Sequence, residues 1–162
     1  MNPLELADRE QALDTYDLSF VHEKIANENK LSGEDLTKIE QEFKRFLRLV
    51  LSEGGPLAMI DRRVDELWHS FILFTPQYQQ FCEQVMGFFV HHQPRTSKTP
   101  VPEGAIKNFV DAYKKQYGEL DPFWLEQLSP ELKACIAAGT VPQSLTFEWS
   151  GWTGRPASRE GL

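Results

Sequence analysis

The stretch Ile60–Pro94, IDRRVDELWHSFILFTPQYQQFCEQVMGFFVHHQP, decides how the rest of the chain is read. Its first half predicts a helix from about Met59 to Leu73, with Ile60, Val64, Leu67, Trp68 and Phe71 at helical spacing on the buried side. Asp61, Asp65 and His69 fall on a ridge beside that stripe, each one turn from the next. Thr75-Pro76 starts a second helix, since proline fits the first turn. Tyr78, Phe81, Cys82 and Val85 make its inner face. The connection between the two is very short, which implies a tight helix pair and could bring Cys82 toward His69. Gly87 ends the second helix, and Phe88-Phe89-Val90-His91-His92 reads as an extended segment entering a loop.

On the N-terminal side, residues 1–15 are polar and read as a flexible segment. A helix is predicted from Asp17, with Leu18, Val21, Ile25 and Ala26 at its spacing and Asp17 or Ser19 at its start. His22 on that helix has no obvious partner and reads as an exposed or half-packed imidazole. Ser32 and Asp35 form a variant capping box before a long stripe of Leu36, Ile39, Phe43, Phe46, Leu47 and Val50. Lys38, Glu42, Lys44, Arg45 and Arg48 are assigned to the opposite, solvated face. Gly54-Gly55-Pro56 stops the helix.

Beyond Pro94, residues 93–103 carry three prolines and no apolar period, so they form a long surface connection. Further helices are predicted from about Pro102 to Tyr117, around Pro122–Leu125, and from Ser129 through Cys135 to Ala138. Phe147 and Trp149 alternate as in a short strand. The predicted fold is therefore mostly all-α, an irregular bundle of five to seven helices. It has a Pro-rich loop and a short extended C-terminal segment. One domain over residues 16–152 is expected, with 153–162 a frayed tail.

The whole-chain figures bound the function. With 162 residues, 41% of them hydrophobic and 25% charged, the chain can bury a core. A net charge of −7 argues against broad nucleic-acid binding. The acidic N-terminus lacks the blocks of a secretory signal, and no apolar run reaches membrane-spanning length. Two cysteines make no disulfide framework. The expected address is cytoplasmic, without a membrane partner.

Two readings of the central residues stand side by side. In the first, Asp65 and His69 reach one metal ion from a single helix face, and Cys82 with His91 or His92 completes the set. That mixture of oxygen, nitrogen and sulfur donors suits zinc. If only three groups bind, an open position could hold a water, with Glu66 or Asp61 behind it as a base. In the second, Asp65–His69 is an exposed intrahelical pair, Trp68 and Cys82 are core, and the two histidines pack a helix end. The spacing matches no zinc-finger pattern. Cys82 as a nucleophile beside a histidine is disfavoured by its apolar stripe. Cys135 reads as core, and Gly54-Gly55 lacks the lysine of a phosphate-binding loop.

The block VDELWHSFILFTPQYQQFCEQVMGFFVHHQP resembles the core of the glycine-rich domain-containing protein-like family. Asp65, Trp68, His69, Tyr78, Cys82 and His91 or His92 stand at the positions that carry the likeness. The chain resembles a short, bacterial-type member, because it lacks the glycine-rich segment of longer plant relatives. It also has Phe71 where many carry a second histidine. The resemblance brings no activity with it. It implies that Asp, His, Cys and His recur as a unit, which favours a site over packing. Three functions stand as expectations: a zinc-organised helical module that binds another protein, a metal-dependent hydrolytic enzyme using the same residues, and a metal-free interaction module in which exposed Trp124, Trp149 or Trp152 makes the contact.

Overall fold

The helix that carries Asp65 and His69 is held at its start by a carboxylate. In the computed structural model, Asp61 accepts hydrogen bonds from the backbone N–H of Arg63 (2.8 Å) and Val64 (3.3 Å). This cap starts the helix three residues later than the apolar spacing predicts. Met59 and Ile60 are buried but belong to the extended chain before it. The structure describes residues 1–143 apart from 29, 32 and 95, together with 152 and 153.

Eight helices are found among these residues: α1 Pro3–Thr15, α2 Ser19–Asn27, α3 Gly33–Ser52, α4 Arg62–Ile72, α5 Thr75–Phe81, α6 Ala105–Tyr117, α7 Pro122–Leu125 and α8 Pro130–Ala138. One π-helical turn, Cys82–Met86, prolongs α5. Strands β1 Leu57–Ala58 and β2 Trp152–Thr153 pair antiparallel, with Leu57 opposite Thr153 and Ala58 opposite Trp152. The mostly all-α bundle is thus the observed fold. No helix among the described residues is long and apolar enough to cross a membrane. The predicted strand at Phe147–Trp149 and the capping residue Ser32 lie outside the described residues.

The eighth helix is α1, where a flexible polar segment is expected. Asn2 caps it by accepting from the Glu5 N–H at 2.9 Å, and Pro3 sits in its first turn. Its outer face is polar and Leu13 is its buried apolar residue, so periodicity gives little warning. Polar ties dock it instead. The Lys44 ammonium donates to the Asp14 and Tyr16 carbonyls at 3.0 and 2.8 Å, and Arg48 pairs with Asp14. Arg9 donates to the Val85 carbonyl at 3.1 Å. That guanidinium lies so close to Gly87, where φ is 78°, that a side chain there would collide with it.

The core forms around α3 and α4. Ile39, Phe43 and Phe46 of α3 are fully buried, as are Val64, Leu67, Trp68 and Phe71 of α4. Phe43 and Phe46 both lie against the Trp68 ring, with centroids 5.7 Å away in each case. Glu42 is a correction to the solvated face assigned above. It is fully buried, because Tyr113 of α6 and Trp124 of α7 reach over α3 and donate to its carboxylate at 2.9 and 2.8 Å. Trp124, expected as an exposed contact residue, is thereby fully buried as well. His22 also has a partner, with Glu40 Oε2 lying 2.9 Å from its Nε2.

Candidate metal centre

Packing of the apolar face of α4 fixes the rotation of the helix. Asp65 and His69 then project from its flank, one turn apart. The chain returns to this flank after Gly87, and residues 90–92 run alongside. Adjacent side chains on extended chain point opposite ways, so His91 and His92 have different fates. His91 is exposed, its ring 4.9 Å from that of Phe89. His92 turns inward, with its side chain only 2% exposed and its ring 4.3 Å from Trp68.

Three donor groups meet there. His92 Nε2 lies 2.7 Å from His69 Nε2 and 3.0 Å from Asp65 Oδ1, while His69 Nε2 is 3.7 Å from Asp65 Oδ2. The two ring nitrogens can share one proton, so one imidazole donates and the other accepts. The His92–Asp65 approach is at ion-pair distance but is not aligned as a hydrogen bond. Asp65 Oδ1 is buried and accepts none. His92 Nδ1 is likewise buried without a hydrogen bond. Such groups are costly unless something completes them.

Two imidazoles and a carboxylate are a donor set that zinc takes. Ligand atoms at ~2.0–2.2 Å on a tetrahedral ion stand roughly 3.3 Å apart. The observed separations of 2.7, 3.0 and 3.7 Å bracket that value. The set is open on one side: His69 remains 44% exposed and faces a cleft of about 540 Å³. Lys30, Arg62, Arg63, Glu66 and Gln127 line that cleft with Asp65 and His69. Lys30 pairs with Glu28 and Glu66, and Arg63 with Asp61 and Glu126. The Arg62 side chain has no carboxylate partner among the described residues.

Of the five candidates for a four-ligand set, in which His91 and His92 are alternatives, the structure brings Asp65, His69 and His92 together and leaves His91 and Cys82 outside the cluster. Cys82 is fully buried beneath the 90–92 segment, where its Sγ accepts the Val90 N–H at 3.5 Å. Burial pushes its thiol above the ordinary range, which keeps it protonated at neutral pH. Asp61, a candidate base by sequence, is committed to capping α4 and pairing with Arg63.

Sequence reasoning did not find the ties that hold His92 in place. The Trp68 indole N–H donates to the Tyr78 hydroxyl at 3.1 Å, which donates to the Val90 carbonyl at 2.5 Å. Trp68 and Tyr78 carry the right signal, being aromatic with a polar handle. Burial at helical spacing marks them only as core.

Residues 8–121 match the family described as UCP032817-like, a description that names no activity and carries no glycine-rich wording. No curated protein and no solved structure gives a match. The match spans most of the chain and contains every residue of the cluster and of the ties behind it, so this chain belongs to the UCP032817-like family.

Proposed function

We propose that this protein is a metal-dependent enzyme of hydrolytic type, with a zinc ion held by Asp65, His69 and His92. The observation that carries the reading is Asp65 Oδ1, a buried carboxylate oxygen beside two imidazole nitrogens that accepts no hydrogen bond. A closed structural site needs a fourth protein donor, and among the described residues the cluster has three. The expectation of a zinc-organised module that binds a protein partner loses support with that fourth ligand.

When bound, zinc supplies Lewis-acid polarisation and an acidified water. The chain supplies the rest. Asp65 balances charge from the buried side, and His92 is kept from solvent by Trp68. Glu66 lies on the cleft wall, its carboxylate 2.6 Å from the Lys30 ammonium, and is the group suited to take a proton from a water facing His69. Arg62 offers its guanidinium fork to an anionic group on the substrate.

The test begins with metal analysis of protein purified without a histidine tag. One zinc per chain is expected in the wild type, and a clear loss in Asp65→Asn and His92→Ala. Zinc-loaded protein is then assayed on chromogenic carboxylic and phosphoric esters, where Glu66→Gln should lower turnover and leave zinc content unchanged. Absence of zinc binding, or equal binding by Asp65→Asn, overturns the reading.

A further inference from the structure

Tyr78 and Cys82 are buried, polar and outside the donor cluster, yet both hold the same short piece of chain. Val90 is gripped from two sides. Its N–H is directed to Cys82 Sγ at 3.5 Å, and its carbonyl accepts from the Tyr78 hydroxyl at 2.5 Å. The same hydroxyl accepts the Trp68 indole N–H at 3.1 Å. Trp68 is on α4 between Asp65 and His69, and its ring lies against that of His92. A chain of contacts therefore runs from the helix that carries two donors, through Trp68 and Tyr78, to the segment that carries the third. It closes on itself where His92 meets Trp68.

We infer that Tyr78 and Cys82 are positioning residues for the metal site, setting its affinity by holding His92 against Asp65 and His69. This rests on the metal reading above and assigns the Tyr78-x-x-x-Cys82 element a role in that site without making either residue a ligand. The geometry explains why the two residues are four apart. One turn of helix sets the hydroxyl and the sulfur over the two polar groups of a single residue on the facing chain. The π-helical turn Cys82–Met86 begins at the second of the two residues. Groups that orient a ligand in this way change metal affinity by about 10- to 100-fold when lost.

The experiment measures zinc affinity by competition with a chromophoric chelator, with metal stoichiometry alongside. The variants are Tyr78→Phe, Cys82→Ala, His92→Ala and Tyr78→Phe/His92→Ala. The expected result for Tyr78→Phe is a roughly 10- to 100-fold weaker affinity at unchanged stoichiometry of one. His92→Ala should bind more weakly still, and adding Tyr78→Phe to it should change nothing further. A purely structural tyrosine would weaken both backgrounds alike, so full additivity overturns the inference. So does wild-type affinity in Tyr78→Phe.

Cobalt substitution addresses Cys82 directly. The wild type should show no sulfur-to-cobalt charge-transfer band, and Cys82→Ala should retain one metal per chain. A sulfur band that disappears in Cys82→Ala makes Cys82 a ligand and overturns its positioning role. If the wild type binds neither metal, the metal reading itself fails. Binding by the wild type with an indifferent Tyr78 defeats only the clamp.

Discussion

Glu42 on α3 and Asp65 on α4 are both buried carboxylates, 0% and 8% exposed, and their surroundings differ in kind. Glu42 is completed by the chain itself. Lys38, Arg45, Tyr113 and Trp124 all donate to it, at 2.8, 2.9, 2.9 and 2.8 Å. Asp65 has two imidazoles for neighbours and an oxygen that accepts nothing. A buried charge with every lone pair occupied is an architectural joint. One left open within ligand distance of two ring nitrogens is a place prepared for something else.

The closed side of this contrast should give the biggest response. Glu42→Ala takes the acceptor from the Trp124 indole and the Tyr113 phenol where α3, α6 and α7 meet, and leaves Lys38 and Arg45 with Asp121 as their remaining carboxylate. A loss of about 3–5 kcal/mol in urea unfolding is expected, because two buried donors are left unmade at about 1–3 kcal/mol each. Zinc stoichiometry should stay that of the wild type. A loss below about 1 kcal/mol would show that completion of Glu42 contributes little, given what ordinary surface pairs supply.

Asp65 should behave in the opposite sense. In metal-free protein, Asp65→Asn removes a poorly satisfied charge, so stability should stay within about 1 kcal/mol of wild type or rise. Free zinc at a hundredfold excess over its Kd should stabilise the wild type by about 2.7 kcal/mol. For a chain of this size that raises Tm by roughly 5–10 °C. Asp65→Asn should lose most of that rise. An equal zinc response in both proteins would place the ion elsewhere.

Much of the fold can be read from residue spacing, and the reason is visible in α3 and α4. Their apolar stripes are long, uninterrupted and buried on one side, so period and packing agree. Helix α1 escapes because polar ties hold it, and Glu42 because its partners come from residues 71 and 82 positions away. For the candidate site, Asp65 and His69 are one turn apart, which local periodicity reveals directly. The approach of His92 depends on a tertiary return of the chain, and nothing in a pair of adjacent histidines tells which one turns inward. Cys82 and Tyr78 have the spacing of site residues for a different reason, their grip on Val90.

A smaller effect separates the cleft cations. Around Glu42, Lys38 and Arg45 are both occupied by carboxylates, whereas Arg62 at the cleft has none among the described residues. Arg62→Gln should leave zinc content and Tm unchanged and raise KM for an anionic ester about tenfold, near 1.4 kcal/mol of lost binding. An equal rise in KM for an uncharged ester would assign Arg62 to the shape of the cleft rather than to its charge.

The slightest effect is a pH dependence in the closed cluster. Asp121 caps α7 by accepting the Phe123 N–H at 2.9 Å, and it shares Lys38 with Glu42 at 2.7 Å. Burial raises its carboxyl pKa, but the Lys38 and Phe123 hydrogen bonds outweigh that and hold it below the usual value. Its contribution is therefore complete above the unfolded carboxylate pKa of about 3.9 and disappears as pH falls through the lower folded value. Urea melts of wild type and Asp121→Asn should differ at pH 7, and the gap should close below about pH 4, because protonated aspartic acid and asparagine then carry the same charge. A gap that persists through that window would mean that Lys38 is held by Glu42 alone. The joint between α3 and α7 would then rest on one carboxylate rather than two.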